Sequence, residues 1–301
     1  MDLDLDRMLE TTREGQWSVD EFDWSQPLQG AGGLSRKQRR EAGLALLFTA
    51  GLERQAARIF RLNAQFVEDE RAKQIYELFY DDEMRHAEAE IRLARRYDTE
   101  WEHLPFPVRW MFKTLEKNFD EADLRGVHEL SSATIVLFEL ALDSLLIPAL
   151  KEKSSDELQA AVFRRIDIDE SRHLAMDYWL LDEKGKVYQG RSIEELFRAR
   201  HGRDRSLRER IAGNYKMLRV LVALLAGFGT LDFVAPSMRE STMKPELMGK
   251  YLRRVRAIEK KAPHAMEVAT FRTGLKGQAI IMNTMSKLSG RGAFDKEAYL
   301  S

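Results

Sequence analysis

Two segments of the chain, residues 82–86 and 169–173, share the pattern Asp-Glu-x-Arg-His. In a helix, a Glu and a His three positions apart lie on one face, so each segment offers a carboxylate and an imidazole to the same point in space. A further glutamate lies in an apolar stretch ahead of each segment, 30 residues before the first segment's Glu and 31 before the second's. The candidate ligands are Glu53, Glu83, His86, Glu139, Glu170 and His173. Four carboxylates and two imidazoles suit a pair of divalent metal ions.

The surroundings of Glu53 and Glu139 give a physical reason to expect a metal. Both lie on largely apolar helix faces, in LLFTAGLERQAARIF and TIVLFELALDSLLI, and a buried carboxylate without a partner is strongly disfavoured. Oxygen ligands with two nitrogens and no sulfur favour iron or manganese over zinc or copper(I). A single Glu-x-x-His often marks only a solvated helix face, but two copies with matched partners favour a metal centre. The alternative is a site that has lost its metal.

Helical periodicity extends over most of the chain and predicts an all-α fold. Long helices are expected at about 35–63, 65–97, 123–150 and 155–181, with a short helix at 110–117. An interval of 30 residues covers about 15 residues up one helix and 15 down the next, roughly 22 Å each way, so each lone Glu meets its partner segment mid-bundle. A turn is predicted at 182–186. The apolar run 218–235 is interrupted by Arg219 and Asp232, falls short of the roughly twenty residues of a membrane span, and is predicted to be a buried helix.

The composition is typical of a soluble globular protein. The chain has 301 residues, 48 basic against 49 acidic, so the overall charge suggests neither a nucleic-acid nor a membrane-surface partner. It has no cysteine, which excludes disulfides, thiolate metal sites and iron–sulfur clusters within it. Electrons for a redox cycle must then come from another protein. The first ten residues lack the basic and apolar parts of a signal peptide, which predicts a cytoplasmic protein.

The paired segments and their upstream glutamates resemble the ferritin-like di-iron oxygenase superfamily. That superfamily includes acyl-carrier-protein desaturases, bacterial multicomponent monooxygenases, arylamine N-oxygenases and the ribonucleotide reductase small subunit, and the resemblance covers residues 36–182. It implies a ferritin-like four-helix bundle at 35–183. Pro27 and the glycine-rich breaker at 30–33 predict an irregular N-terminal arm at 1–34, and continued helical periodicity predicts a helical C-terminal extension at 184–301 that packs on the bundle. It also implies two iron ions, or one manganese and one iron, with O2 as co-substrate.

The resemblance assigns roles to residues around the ligands. Each aspartate of the paired segments is expected to support the histidine of the opposite half, fixing its tautomer and raising its basicity. The arginines would pair with those aspartates or lie exposed. These supporting residues are Asp82, Asp169, Arg85 and Arg172.

Departures from the superfamily affect the expected catalytic residues. Where monooxygenases and desaturases often have a Thr facing the oxygen pocket, this chain has Asp143, which would deliver a proton as a carboxylic acid, or face solvent or another helix. Tyr80, like Tyr76, would border the pocket as an oxidisable relay, or belong to the core. Ile166 and Glu90 replace the extra His of arylamine N-oxygenases and the radical Tyr of ribonucleotide reductase, which argues against both.

The predicted function is a di-iron oxidoreductase that uses O2 to hydroxylate, desaturate or N-oxygenate a small or carrier-bound organic substrate. The alternatives are a ferroxidase or other iron-handling protein, and a non-enzymatic helical scaffold. Arginines between residues 198 and 210 fit an acidic electron donor of ferredoxin type, a flavoprotein or an acyl carrier protein, or form a solvated helix face. A homodimer is expected as the commonest oligomer.

Overall fold

The computed structural model describes residues 2–30, 33–121, 124–152, 156–242 and 244–288, and every regular element within these ranges is helical. The prediction of an all-α fold is confirmed. The helices are α1 (Leu5–Glu14), α2 (Arg36–Phe66), α3 (Glu70–Arg96), α4 (Phe106–Glu121), α5 (Leu124–Ala141), α6 (Ile147–Glu152), α7 (Glu157–Tyr188), α8 (Ile193–His201), α9 (Leu207–Val234), α10 (Pro236–Thr242), α11 (Pro245–Arg256), α12 (Ile258–Lys261) and α13 (Ala269–Leu288).

Four long helices surround the interior of the protein. α2 packs against α3 and α5, and α7 packs against both α3 and α5. Their contacts bury large aromatic side chains, each contributing roughly 1.5–3 kcal/mol by leaving water. The fully buried phenylalanines among them are Phe48, Phe60, Phe79 and Phe163. α4 and α9 pack together beside α2, and α11 and α13 pack on α5.

Side-chain caps fix where these helices begin. The Ser35 hydroxyl accepts a hydrogen bond from the Gln38 backbone N–H at 3.2 Å, and the Gln38 side chain accepts one from the Ser35 N–H at 2.9 Å. Asp156 caps α7 by accepting from the Gln159 N–H at 2.9 Å. The same carboxylate accepts from Arg96, near the end of α3. These caps satisfy N–H groups that have no partner within their own helices.

The N-terminal arm differs from the irregular segment predicted for residues 1–34. It contains α1, which begins at a cap formed by Asp4 and packs against α3. Leu5 and Leu9 are buried in that contact, together with Thr12. Their spacing of three and four residues is that of an amphipathic helix, and it was overlooked because the segment is short and acidic.

The predicted turn at 182–186 is wrong, because α7 continues through it to Tyr188. Gly185 is a close-packing position: a Cβ there would lie 2.0 Å from the His264 backbone oxygen. Asp182 is buried and accepts a hydrogen bond from the His264 N–H at 3.0 Å. The boundary predicted at residue 183 therefore falls inside a helix.

The third predicted helix, 123–150, is interrupted. A π-helical turn, Leu142–Leu146, separates α5 from α6. Such turns widen one helical turn by a residue and often occur at functional sites. This one begins three residues after Glu139, so it changes the direction of the side chains that follow that glutamate.

Within the residues that the structure describes, two stretches are long and apolar enough to cross a membrane by length and composition alone: Val127–Glu152 and α9. In its most apolar window the first is 67% buried, as expected of a core helix, but α9 is only 18% buried. The run 218–235 is helical as predicted, up to Val234, but the prediction of burial is wrong. Only the face with Ala223, Gly227 and Leu231 is buried, because α9 packs on α4 along one side.

Candidate metal centre

The six predicted ligands come together in the interior from four helices. α2 carries Glu53 and α5 carries Glu139, while α3 and α7 each carry one Glu-x-x-His pair. All six side chains are at most 1% exposed. They form two groups in which one ligand atom from each residue lies within 4.8 Å of the others: Glu53, Glu83, His86 and Glu170, and Glu83, Glu139, Glu170 and His173. Glu83 and Glu170 belong to both groups, so they occupy the positions of carboxylates that bridge two ions.

The histidines direct one ring nitrogen inwards and the other outwards. His86 Nδ1 lies 3.4 Å from Glu170 Oε1, and His173 Nδ1 lies 2.9 Å from Glu83 Oε1. On the outer side, His86 Nε2 is 2.9 Å from Asp169 Oδ2. A proton on Nε2, donated to the aspartate, leaves the Nδ1 lone pair facing the carboxylates, as a metal ligand requires.

The outer aspartates connect the two halves of the site. His173 Nε2 lies 3.3 Å from Asp82 Oδ2, so each histidine contacts the aspartate of the other segment, as the resemblance implies. Arg85 forms an ion pair with Asp82, and Arg172 forms one with Asp169. Arg172 also lies 3.9 Å from Asp82 Oδ2.

Two residues of the N-terminal arm complete this layer, and sequence reasoning missed both. Trp17 Nε1 donates to Asp169 Oδ2 at 2.8 Å, and Gln16 Nε2 donates to Asp82 Oδ1 at 2.9 Å. The Trp17 ring stacks on His86 with centroids 6.2 Å apart, and the Arg85 guanidinium lies over the indole ring at 5.7 Å from its centroid. The arm therefore covers the histidine side of the centre.

Aromatic rings fill the opposite approach to His173. The Phe79 ring lies 4.2 Å from the imidazole, centroid to centroid, and the Phe60 ring lies 5.1 Å away. Both phenylalanines are fully buried. An apolar wall of this kind excludes water, which strengthens electrostatic interactions among the ligands.

Within the described part of the chain, the ligand atoms lack hydrogen bonds of normal geometry. Both carboxylate oxygens of each ligand glutamate, and Nδ1 of both histidines, are buried without a hydrogen bond of normal geometry. Burial, with the charge of Glu83 second, raises the pKa of Glu53 well above its ordinary value. Burial and the charge of Glu170 do the same to the pKa of Glu139. Without cations these groups hold protons, so metal binding would release them.

The histidines respond to the same carboxylates. Burial alone would lower the pKa of His173, but the adjacent carboxylates of Asp82 and Glu83 outweigh it and raise the pKa to about 10. The pKa of His86 is likewise raised well above its ordinary value. Burial would raise the pKa of Glu83, but the two histidines hold it below its usual range. Without metal, protons bound by the histidines and by the buried carboxyl groups therefore offset the negative charge of the cluster.

No protein-family model and no curated protein matches this chain. The chemistry of the donor set and its burial are therefore the main indications of function. Ligand atoms that are buried, close together and without hydrogen bonds of normal geometry fit two cations better than any arrangement of protons. Protons cannot satisfy every oxygen of four glutamates at once.

The two predicted catalytic residues lie in other surroundings. Asp143 is in the π-helical turn and forms an ion pair with Arg254 of α11. Tyr80 is partly exposed, and the Arg61 guanidinium lies over its ring at 5.3 Å from the centroid. Tyr76, by contrast, is fully buried and donates to a backbone oxygen. These contacts favour structural roles for Asp143 and Tyr80 over the catalytic roles predicted for them.

Two further carboxylates lie in the interior. Glu90 and Asp177 follow the ligand histidines by four residues and are at most 1% exposed. Burial raises the pKa of both well above the usual range. Both are therefore carboxyl groups of the interior and not part of a solvated helix face.

Proposed function

We propose that this chain is a di-metal oxidoreductase with a ferritin-like four-helix bundle, which reduces O2 and oxidises an organic substrate. The observation that carries the proposal is the set of eight carboxylate oxygens and two imidazole nitrogens, all buried, close together and none in a hydrogen bond of normal geometry. Iron, or manganese with iron, suits such oxygen-rich ligands. When bound, these ions would supply the electrons and the open coordination positions for O2 chemistry.

The side chains of this protein have distinct roles in that proposal. Glu53 and His86 would hold one ion, Glu139 and His173 would hold the other, and Glu83 and Glu170, which belong to both groups, would contribute to both. Asp169 keeps the His86 proton on Nε2, so that Nδ1 remains a ligand. The arm and the phenylalanines exclude water, which protects reactive species from side reactions.

The absence of cysteine makes the electron donor a separate molecule, of ferredoxin or flavoprotein type. The substrate class is an organic molecule that is hydroxylated, desaturated or N-oxygenated, either free or attached to a carrier. An acyl carrier protein would deliver a substrate of the second kind. A homodimer is the expected assembly.

The test is a metal titration under anaerobic conditions followed by exposure to O2. Wild-type protein is expected to bind two ions per chain, one for each ligand group, and a Glu83→Ala/Glu170→Ala variant to bind none tightly. The control variant, Glu77→Ala/Glu183→Ala, changes exposed glutamates on the same two helices and should bind as wild type. An unchanged metal content in the ligand variant would overturn the proposal.

The behaviour towards O2 separates the oxidoreductase from an iron-handling protein. An oxidoreductase loaded with Fe(II) consumes O2 once, in proportion to its bound iron, and resumes only after its ions are reduced again. A ferroxidase continues to oxidise added Fe(II) well beyond the content of its site. Continued oxidation of excess iron without a reductant would refute substrate oxidation as the main activity.

A further inference from the structure

The exposed side of α9 is a feature that the proposed metal centre does not explain. Six large side chains on this helix are between 47% and 85% exposed: Leu207, Ile211, Tyr215, Leu218, Val222 and Phe233. We call this set the apolar stripe. With about 100° between successive residues, all six fall within one quarter of the helix circumference. They lie on the side opposite the face that α4 covers.

The packing of α9 on α4 explains why the stripe cannot turn inwards. A Cβ at Gly227 would lie 2.3 Å from Met111 Sδ, so the two helices approach closely there. Ala223 and Leu231 lie on the same buried face. Rotating the helix to hide the stripe would separate this contact. The stripe therefore remains outside as long as α9 is docked.

Positive charge is concentrated at the N-terminal end of the same helix. Residues 198–219, the basic segment, contain eight Lys and Arg against two acids, a net charge of 8 − 2 = +6. The rest of the chain carries 40 − 47 = −7, so the near-neutral total conceals a strong local excess. Arg208 and Lys216 are exposed within this segment. The acids that pair with Arg203 and Arg198 are already subtracted in this sum. Glu194, which lies just outside the segment, is 3.9 Å from Arg205 and Arg210 and lowers the local excess by one charge.

We infer that α9 binds the surface of an anionic lipid bilayer, with the apolar stripe in the boundary between headgroups and acyl chains and the basic segment on the headgroups. A helix with an apolar face and adjacent arginines is the form that interfacial helices take. The opposite face remains docked on α4, so the helix lies on the membrane and does not cross it. The inference does not depend on the metal centre.

The dimensions of the stripe argue against a second copy of the chain as its occupant. A helix of 28 residues is about 42 Å long, and a strip about 10 Å wide along it gives roughly 420 Å². A stable interface needs about 800 Å² from each partner. An acidic protein would neutralise the basic segment but leave the apolar stripe in water. A bilayer covers both features together.

The experiment is flotation of the full chain with vesicles of phosphatidylcholine alone and of phosphatidylcholine with phosphatidylglycerol. Wild-type protein is expected to float with the anionic vesicles, less so at high salt. Ile211→Gln/Leu218→Gln is expected to reduce partitioning ~tenfold or more, because two side chains no longer enter the bilayer. Arg208→Gln/Arg210→Gln, at exposed positions on the two sides of the stripe, should remove most of the preference for phosphatidylglycerol. The matched control is Val187→Gln/Ile280→Gln, which changes apolar residues of similar exposure on α7 and α13.

Three results would overturn the inference. Wild-type protein that never floats excludes the membrane. Sedimentation velocity that shows a wild-type dimer and a monomeric stripe variant, with no flotation, assigns the stripe to a second copy. Flotation that survives in the stripe variant but not in the charge variant reduces the interaction to charge alone. All substituted residues are exposed, and equal melting temperatures would verify that the variants are folded.

Discussion

Burying the Glu53 carboxyl group costs free energy of folding when no metal is bound. Replacing this ligand with an apolar residue should therefore make the metal-free protein more stable. Glu53 is fully buried, and neither of its oxygens has a hydrogen-bond partner of normal geometry. Burying a carboxyl group in this way costs about 1–3 kcal/mol in mutational series. Glu53→Leu removes that cost and adds apolar contact. The expected gain in free energy of unfolding is therefore about 1–3 kcal/mol.

The gain converts to a measurable melting shift. The entropy of unfolding is about 2.1 cal/mol/K per residue, or roughly 0.6 kcal/mol/K for 301 residues. Metal-free Glu53→Leu should thus melt ~2–5 °C above metal-free wild type. Metal reverses the order: at 100 times Kd, each bound ion stabilises the fold by about 2.7 kcal/mol, so two raise the melting temperature of wild type by about 8 °C. The variant lacks one ligand of the first group and should gain at most half of that increase in melting temperature.

The matched control is Glu41→Leu on the same helix. Glu41 is 4% exposed and accepts a hydrogen bond from the Ser237 N–H at 3.2 Å. Its loss leaves a partly buried donor without this acceptor, so the same substitution should destabilise the protein by about 1 kcal/mol. Calorimetry in chelator, then with Mn2+, measures both effects. A Glu53→Leu protein that melts below wild type in chelator, or responds fully to Mn2+, would refute the reasoning.

Three further predictions follow from the site and its surroundings. His173, whose pKa folding raises to about 10 through its carboxylate partners, stabilises the protein fully below its unfolded pKa of 6.5 and loses that effect as pH rises. Metal-free protein should therefore melt at progressively lower temperature between pH 6.5 and about 10; a flat melting profile in chelator would contradict this. Trp17→Phe should cost about 1–3 kcal/mol in chemical denaturation, because Asp169 loses a buried donor; no loss would show that the arm is undocked. Gly185→Ala should lower the melting temperature because its Cβ would collide with His264. Gly229→Ala has nothing within 4 Å of the added Cβ and should raise the free energy of unfolding by about 0.5–1 kcal/mol. Equal effects of the two substitutions would argue against the α7 packing.

The ligand set was accessible from the sequence because it depends on local helix geometry. A Glu-x-x-His pair lies on one face in any α-helix, and the intervals of 30 and 31 residues bring matched positions to one height. The apolar surroundings of Glu53 and Glu139 then indicated burial. None of these arguments needed knowledge of which helices touch.

Features that depend on tertiary contacts were missed or wrongly predicted. Trp17 bonds to a residue 152 positions away, and no local spacing signals such a pair. Gly185 has the composition of a turn, but its real constraint is the approach of His264. The surroundings of Asp143 are decided by Arg254, more than a hundred residues further on. The C-terminal part of α9, from Leu218 to Val234, has apolar residues on both its exposed and its buried sides, so composition could not tell which face α4 would cover.

The N-terminal arm can be anchored over the ligand cluster only after most of the chain has been synthesised. Trp17 emerges early, but its anchor Asp169 directly precedes Glu170 and lies near His173 in the sequence. Ribosomes add about 5–20 residues per second, so the 152 residues between Trp17 and Asp169 take roughly 8–30 s. During that time the ligands of the first half lack this cover. The tryptophan gains its anchor only as the last ligands are added, so a nascent chain cannot form the Trp17–Asp169 bond over an unfinished ligand set.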